Sequence, residues 1–164
     1  MGVDNREQLE IKRLQDRSEA ETCARMMGSS EPWITLRRDY NASLKLMTNP
    51  TKEIYVARAN NKIVGFLVLD MNGPFVGYIQ SVCVSPELRG KGLGSQLLDF
   101  AEKRIFKESP NAFMCVSSFN AGARRLYERC GYKLVGEIKE WIVSGHSEFL
   151  LRKTIGPLAD FKKQ

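Results

Sequence analysis

The sequence predicts an α/β (α+β) domain in three layers, with helices on both faces of a mixed, mostly antiparallel sheet. Three observations carry that prediction. Segments with strand alternation and segments with one-face helical spacing follow each other along the whole chain. Their order is strand, two helices, an antiparallel run of strands, then strand, helix, strand, helix and two strands, which is that of an α/β or α+β three-layer domain. The chain has 164 residues, 43% hydrophobic and 27% charged, enough for one domain over residues 1–164 with its own core.

Taken in order, residues 9–14 (LEIKRL) alternate and read as a strand. Residues 16–27 read as a helix with Ala20, Cys23, Ala24 and Met27 on one side, closed by Gly28 and the loop to Pro32. Residues 35–47 read as a second helix with Leu36, Tyr40, Leu44 and Met47 on one face, stopped by Asn49-Pro50. Residues 53–58 and 63–71 read as strands around an Asn60-Asn61 hairpin turn, since asparagine tolerates positive φ. Tyr78–Val84 (YIQSVCV) is strand-like and closed by Ser85-Pro86. Leu93, Leu97, Leu98, Ala101 and Ile105 then mark an amphipathic helix. Asn111–Ser117 is a short strand, and residues 121–130 a helix with Ala123, Leu126, Tyr127 and Cys130 inward. Residues 133–143 and 148–153 read as final strands around a Ser144-Gly145 turn, and the polar tail 156–164 is expected to be flexible.

Composition removes several classes. No apolar run approaches the roughly 18 residues of a membrane span, so no membrane partner is expected. The first residues, MGVDNREQLEIKR, are polar and charged, without the apolar stretch of a secretory signal or the Ser/Thr of a myristoylation site. The net charge of +6 is spread without a run of five like charges and without a nucleic-acid recognition motif, so an anionic cofactor is expected rather than nucleic acid. Cys23, Cys83, Cys115 and Cys130 lack metal-ligand spacing and sit in apolar-periodic segments, so no metal site is expected. Buried free thiols are expected, in a cytoplasmic setting.

Between the strand at Tyr78–Val84 and the helix after it lies Glu87-Leu88-Arg89-Gly90-Lys91-Gly92-Leu93-Gly94. Glycine lets backbone N–H groups approach a ligand with no Cβ in the way. A helix start leaves several N–H donors unpaired, and its dipole favours an anion. Arg89 and Lys91 add positive charge. A phosphate site, most directly for a pyrophosphate, follows. The terminal Gly-Lys-Ser/Thr of a P-loop and the context of a dinucleotide fingerprint are both missing. A glycine-rich turn leading into a surface helix is the alternative.

Arg89-Gly90-Lys91-Gly92-Leu93-Gly94 resembles the Arg/Gln-x-x-Gly-x-Gly/Ala acyl-CoA signature of the GNAT superfamily of N-acetyltransferases. The resemblance covers nearly the whole order of elements and implies the GNAT three-layer α/β/α fold, its sheet splayed at the acyl-CoA site. It implies that Arg89, Gly90, Lys91, Gly92, Gly94 and Ser95 wrap the pyrophosphate of acetyl-CoA. Asn120, seven residues before Tyr127 and followed by Gly131-Tyr132, stands where the family contacts pantetheine; Tyr127 stands near the thioester sulfur. The resemblance also implies pantetheine pairing along the strand edge at Val82 and Val84, with a backbone N–H near Val84 on the thioester carbonyl. Read from the residues alone, Asn120 is a good N-cap and Tyr127 lies on the same helix face.

The activity implied is acetyl transfer from acetyl-CoA to a primary amine of a small molecule, peptide or protein, by direct attack through a tetrahedral intermediate. An acyl-CoA-binding sensor is the alternative. The amine acceptor is the partner expected, with the chain a monomer or homodimer. An alkyl amine with a pKa near 10.4 is almost wholly protonated at pH 7, so a base is needed. Many relatives carry a glutamate on the strand before the loop, where this chain has Gln80 and Ser81. The remaining candidates are Glu31, Glu148 and His146; Glu31, in the loop before Trp33, is preferred as base or charge partner. Tyr127 is the expected general acid. Trp33, Tyr78 and Trp141 are candidates for the acceptor pocket. Cys83 as an acyl-enzyme nucleophile is set aside for want of a neighbouring histidine.

Overall fold

The computed structural model describes residues 9–164. The polar N-terminal segment falls largely in residues 1–8, outside the described residues. The elements are β1 (Glu10–Arg13), α1 (Arg17–Gly28), α2 (Tyr40–Met47), β2 (Glu53–Ala59), β3 (Lys62–Asp70), β4 (Tyr78–Val84), α3 (Leu93–Ile105), β5 (Asn111–Ser117), α4 (Ala121–Arg129), β6 (Lys133–Lys139) and β7 (Ser147–Thr154). The sheet runs β1-β2-β3-β4-β5-β7-β6, and every neighbouring pair is antiparallel except β4 and β5. This is the mixed, three-layer α/β architecture that the pattern of elements predicts. No helix among the described residues is long and apolar enough to cross a membrane.

Each sheet face has its own core. Ala20, Cys23, Ala24 and Met27 of α1 and Met47 of α2 pack with Trp33 on Val56, Phe66 and Val68. Leu97, Leu98, Ala101 and Ile105 of α3 pack on Ala57, Leu67, Leu69 and Met114 across the other face. Burying a leucine or isoleucine fully contributes about 1.5–3 kcal/mol, so the α3 stripe alone is a major share of what holds that layer. Ala123, Leu126 and Tyr127 of α4, with Cys130 at its C-cap, lean on this core but each stays partly exposed.

Three expectations need correction. The helix read over 35–47 begins only at Tyr40: Arg37 takes φ 57°, the left-handed region, and Asp39 caps the new start by accepting from Ala42 N at 2.9 Å. The strand read over 133–143 ends at Lys139, because Glu140 turns the chain at φ 47° and its carboxylate accepts from Gly145 N at 3.0 Å. The last strand extends one residue beyond 148–153 at each end, to Ser147–Thr154. The Asn60-Asn61 turn is as read, both residues at positive φ. All four cysteines are free thiols, Cys23 and Cys83 buried, Cys115 and Cys130 half-buried. Past Gly156 the chain makes a short 3-10 turn at Leu158–Asp160, and Gln164 N donates to Lys107 O at 3.0 Å.

β4 positions the site through two irregularities. Opposite β3, Val68 pairs with Ser81 and Leu69 with Ile79, so Gln80 is an extra residue in a bulge. The bulge inverts the alternation: Ile79 faces the α3 core, and beyond it Val82 and Val84 take that side while Cys83 faces the α1 core. Opposite β5, β4 pairs only through Tyr78 and Ile79. From Gln80 onward the two parallel strands diverge, and a cleft opens between them.

Candidate active site

The diverging strands leave unpaired backbone groups in the cleft. Ser85 N donates to Val64 O of β3 at 2.8 Å. Successive N–H groups on a strand point to opposite sides, so those of Val82 and Val84 face away from β3 into the opening. The Val84 carbonyl faces the same way, and Arg89 Nε donates to it at 3.1 Å.

Val82, Val84, Arg89, Gly90, Gly92, Gly94, Ser95, Asn120 and Tyr127 line one cavity of about 610 Å³. Of the residues named from the sequence for the donor, Lys91 alone is not on its lining; it is exposed at the loop tip. Gly90 and Gly92 adopt φ 75° and 84°, and Gly92 is the N-cap of α3 with no side-chain cap bond. The first N–H groups of α3 are therefore free to meet an anion. A Cβ on Gly94 would come within 2.9 Å of Leu126 Cδ2, so glycine lets α3 and α4 close together behind the loop. These features fit the diphosphate of an acyl-CoA.

Asn120 caps α4, its Oδ1 accepting from Ala123 N at 3.3 Å, and its Nδ2 has no protein partner among the described residues. Burial pushes the Tyr127 phenol up to about 12, with Cys130 and Cys83 adding to the shift, so it is a protonated donor at any ordinary pH. Burial likewise raises the Cys83 thiol to about 12 despite Arg89, which leaves it almost without thiolate and unsuited to attack.

A second cavity, of about 570 Å³, is lined by Tyr78–Val82 of β4 and Met114–Ser117 of β5 and does not reach the glycine loop. It shares Pro32, Trp33, Val82, Asn120 and Tyr127 with the first. Its own walls include Arg38, Tyr78, Gln80, Ser81, Ser117, Trp141 and Glu148, so all three aromatic residues named from the sequence border it. Glu148 is 4% exposed and faces Ser117 across the β5–β7 ladder. Burial pushes its carboxyl above its ordinary value, outweighing the Ser117 hydrogen bond and the charges of Arg38 and His146. Lys52 and Asp70 pair with each other at the rim; burial raises the Asp70 pKa, but Lys52 and the Asn72 N–H outweigh it and hold the carboxyl low.

Glu31 stands elsewhere. It borders the glycine-loop cavity only, is exposed, and its two carboxylate oxygens accept from Thr35 N at 3.2 Å and Thr35 Oγ1 at 3.0 Å. His146 packs edge-on against Phe119, centroids 4.7 Å apart, and is not on either lining. Arg38, Lys52, Asp70 and Ser117 are polar side chains of the second cavity to which the sequence does not point. Arg38 was hidden inside an expected helix, and Ser117 carries no signal of its own.

A glycine loop whose geometry fits a diphosphate and a polar cavity thus meet where the β4 edge is unpaired. The chain belongs to the Acetyltransferase (GNAT) family, whose model matches residues 14–132; the family is one of acetyl-CoA-dependent N-acetyltransferases. An uncharacterized N-acetyltransferase of Methanocaldococcus jannaschii is 29% identical over 104 residues, 59% of this chain and 46% of that protein, so the chain spans about half of that relative's length. The N-alpha-acetyltransferase RimI of Mycobacterium tuberculosis is 26% identical over 152 residues, 85% of this chain and 89% of that one. The fold is shared with an aminoglycoside 6'-N-acetyltransferase complexed with coenzyme A: TM-score 0.73 at 15% identity, over 90% of this chain and 98% of that one.

Proposed function

We propose that the chain transfers the acetyl group of acetyl-CoA to a primary amine. The observation that carries this is the meeting of the two cavities at Val82, Asn120 and Tyr127. A thioester lying along the unpaired edge of β4 presents its carbonyl to the second cavity there. Family membership and the coenzyme A held by the aminoglycoside acetyltransferase support the identity of the donor.

Arg89, Gly90, Gly92, Gly94 and Ser95, with the start of α3, hold the diphosphate, and Lys91 adds long-range charge from the loop tip. Asn120 Nδ2 donates to the pantetheine arm while its Oδ1 stays on the helix cap. Glu148 takes the base role in place of Glu31, because it borders the amine cavity and its raised pKa makes it a better proton acceptor. It removes a proton from the bound ammonium, directly or through water, and the freed amine attacks the thioester carbon. The N–H of Val84 or Val82 stabilises the developing oxyanion.

Tyr127 gives its proton to the departing sulfur. A phenol near 12 is too weak an acid for a thiolate of ordinary pKa near 8.5. The thiol of Cys83, buried on the α1 side of β4, shows the direction in which burial acts on sulfur: it is raised to about 12. A coenzyme A sulfur leaving into a partly dry cleft is raised in the same direction, which narrows the gap between donor and acceptor. A sensor without catalysis is the weaker alternative, since it gives no use to a buried carboxylate in a second cavity. A cytoplasmic setting belongs to the same proposal and draws on the four free thiols. Calorimetric titration with acetyl-CoA tests the donor half: one site per chain is expected, weakened in Arg89→Gln, and no binding overturns the proposal.

A further inference from the structure

We propose that the acceptor is a small amine that also carries an anionic group, a carboxylate or a phosphonate, and that Arg38 receives that group. This rests on the acetyl transfer proposed above.

Arg38 borders the second cavity and is half-buried. Among the described residues its guanidinium makes no ion pair within 4.0 Å and no hydrogen bond. The other half-buried cations, Lys52, Arg58, Arg104, Arg124 and Lys153, are each paired with a carboxylate. A lone guanidinium in a concave, partly dry wall focuses positive potential on the space in front of it, and its forked donors match a carboxylate or phosphonate.

The backbone holds Arg38 in place. Arg37 turns the chain at φ 57°, a conformation that costs a side-chain-bearing residue about 1 kcal/mol or more. Arg38 N then donates to Trp33 O at 2.9 Å, and Asp39 caps α2. Arg38 is thus fixed between a local turn and a helix start rather than carried on a loose loop.

The charge opposite completes the pattern. Arg38 acts electrostatically on both Tyr78 and Glu148, yet lies beyond ion-pair distance of the carboxylate. An unpaired cation and a carboxylate on the walls of one cavity offer opposite charges to a zwitterion, its amine toward Glu148 and its anion toward Arg38. Lys52 and Asp70 neutralise each other, so the cavity otherwise asks for no net charge. Two buried polar atoms on the wall, Gln80 Oε1 and Ser81 Oγ, have no hydrogen-bond partner among the described residues; one can accept from an amine N–H and the other donate to an anion. A peptide N-terminus would place a neutral amide where the acid group goes and leave Arg38 unpaired.

The test is free-thiol release from acetyl-CoA with the common α-amino acids, their carboxamides, and ω-aminoalkyl carboxylates and phosphonates. Wild type is expected to prefer an acid over its own amide by about tenfold or more in kcat/KM. Arg38→Gln is expected to raise KM for the acid by about tenfold to a hundredfold, with little change in kcat, and to erase the preference; Arg38→Lys restores part of it. Acetyl-CoA affinity and the melting temperature of Arg38→Gln report that the fold is intact. Amides or dipeptides serving as well as acids, an unchanged ratio in Arg38→Gln, or acceptance of uncharged amines alone each overturns this inference and leaves acetyl transfer standing. Failure to bind acetyl-CoA at all takes both down.

Discussion

Ser117 and Glu148 stand opposite one another on β5 and β7, and the Ser117 hydroxyl donates to Glu148 Oε1 at 2.5 Å. That bond stabilises the ionised carboxylate while burial opposes it. Removing the donor shifts the balance toward burial. Ser117→Ala is expected to move the acidic limb of kcat/KM to higher pH than in wild type, with the rate at high pH nearly kept. Glu148→Gln is expected to lower kcat about 10²- to 10⁴-fold, whereas Glu31→Gln stays near wild type. Rates against pH for the three variants check this; equal losses in the two glutamate variants would return Glu31 to consideration.

The same carboxylate has a stability consequence of definite sign. Folding raises the Glu148 pKa, so the folded chain holds that proton more tightly than the unfolded one. Stability from this group is fully present below the unfolded value and is lost as pH rises through the folded value. Glu148→Gln, which keeps an oxygen for Ser117, is expected to melt a few degrees above wild type at neutral pH, with the gap closing below pH about 4. Thermal melts across pH measure it. An inactive variant that is also more stable points to a functional carboxylate rather than a structural one.

Tyr127 separates catalysis from binding. Its phenol sits where both cavities meet. Tyr127→Phe keeps the ring and its packing on the α3 core, so acetyl-CoA affinity is expected to stay within about threefold while kcat falls about a hundredfold. Calorimetry beside steady-state kinetics reads both. A loss confined to affinity would make Tyr127 a binding residue only.

The glycine loop has a backbone requirement. Gly92 caps α3 at φ 84°, and an L side chain there costs about 1 kcal/mol. Gly92→Ala is expected to lower stability by about that amount and to weaken acetyl-CoA by about tenfold, as the helix N–H groups lose their aim. Gly136 in β6 lacks both positive φ and any atom within 4 Å of an added Cβ, so Gly136→Ala is the control, expected within about 0.5 kcal/mol and without effect on affinity.

How far the molecule can be read from its residues depends on where each cause lies. Asn60-Asn61 and the glycine loop are legible because positive φ selects its residue types locally. The start of α2 is not, because Arg37 at φ 57° follows no residue preference, and the spacing of Leu36 and Tyr40 mimics one more helical turn. The Gln80 bulge did leave a trace: Ile79, Val82 and Val84 share a face at spacings of three and then two, which an unbroken strand does not give. Glu148 is visible in sequence only as one acid among several. Its burial comes from the strand order β5-β7-β6, which slides the last strand inside the sheet, and no local pattern reports that. Arg38 becomes notable only once every other half-buried cation is seen to have a partner.

The most direct measurement is coupled: free thiol released from acetyl-CoA and N-acetylated product by mass spectrometry, followed together with and without an amine. Thiol release that requires the amine, equals the acetylated product, and drops in Glu148→Gln and Tyr127→Phe is the predicted result. Tight acetyl-CoA binding with no amine-dependent release would contradict the account and leave an acyl-CoA-binding module.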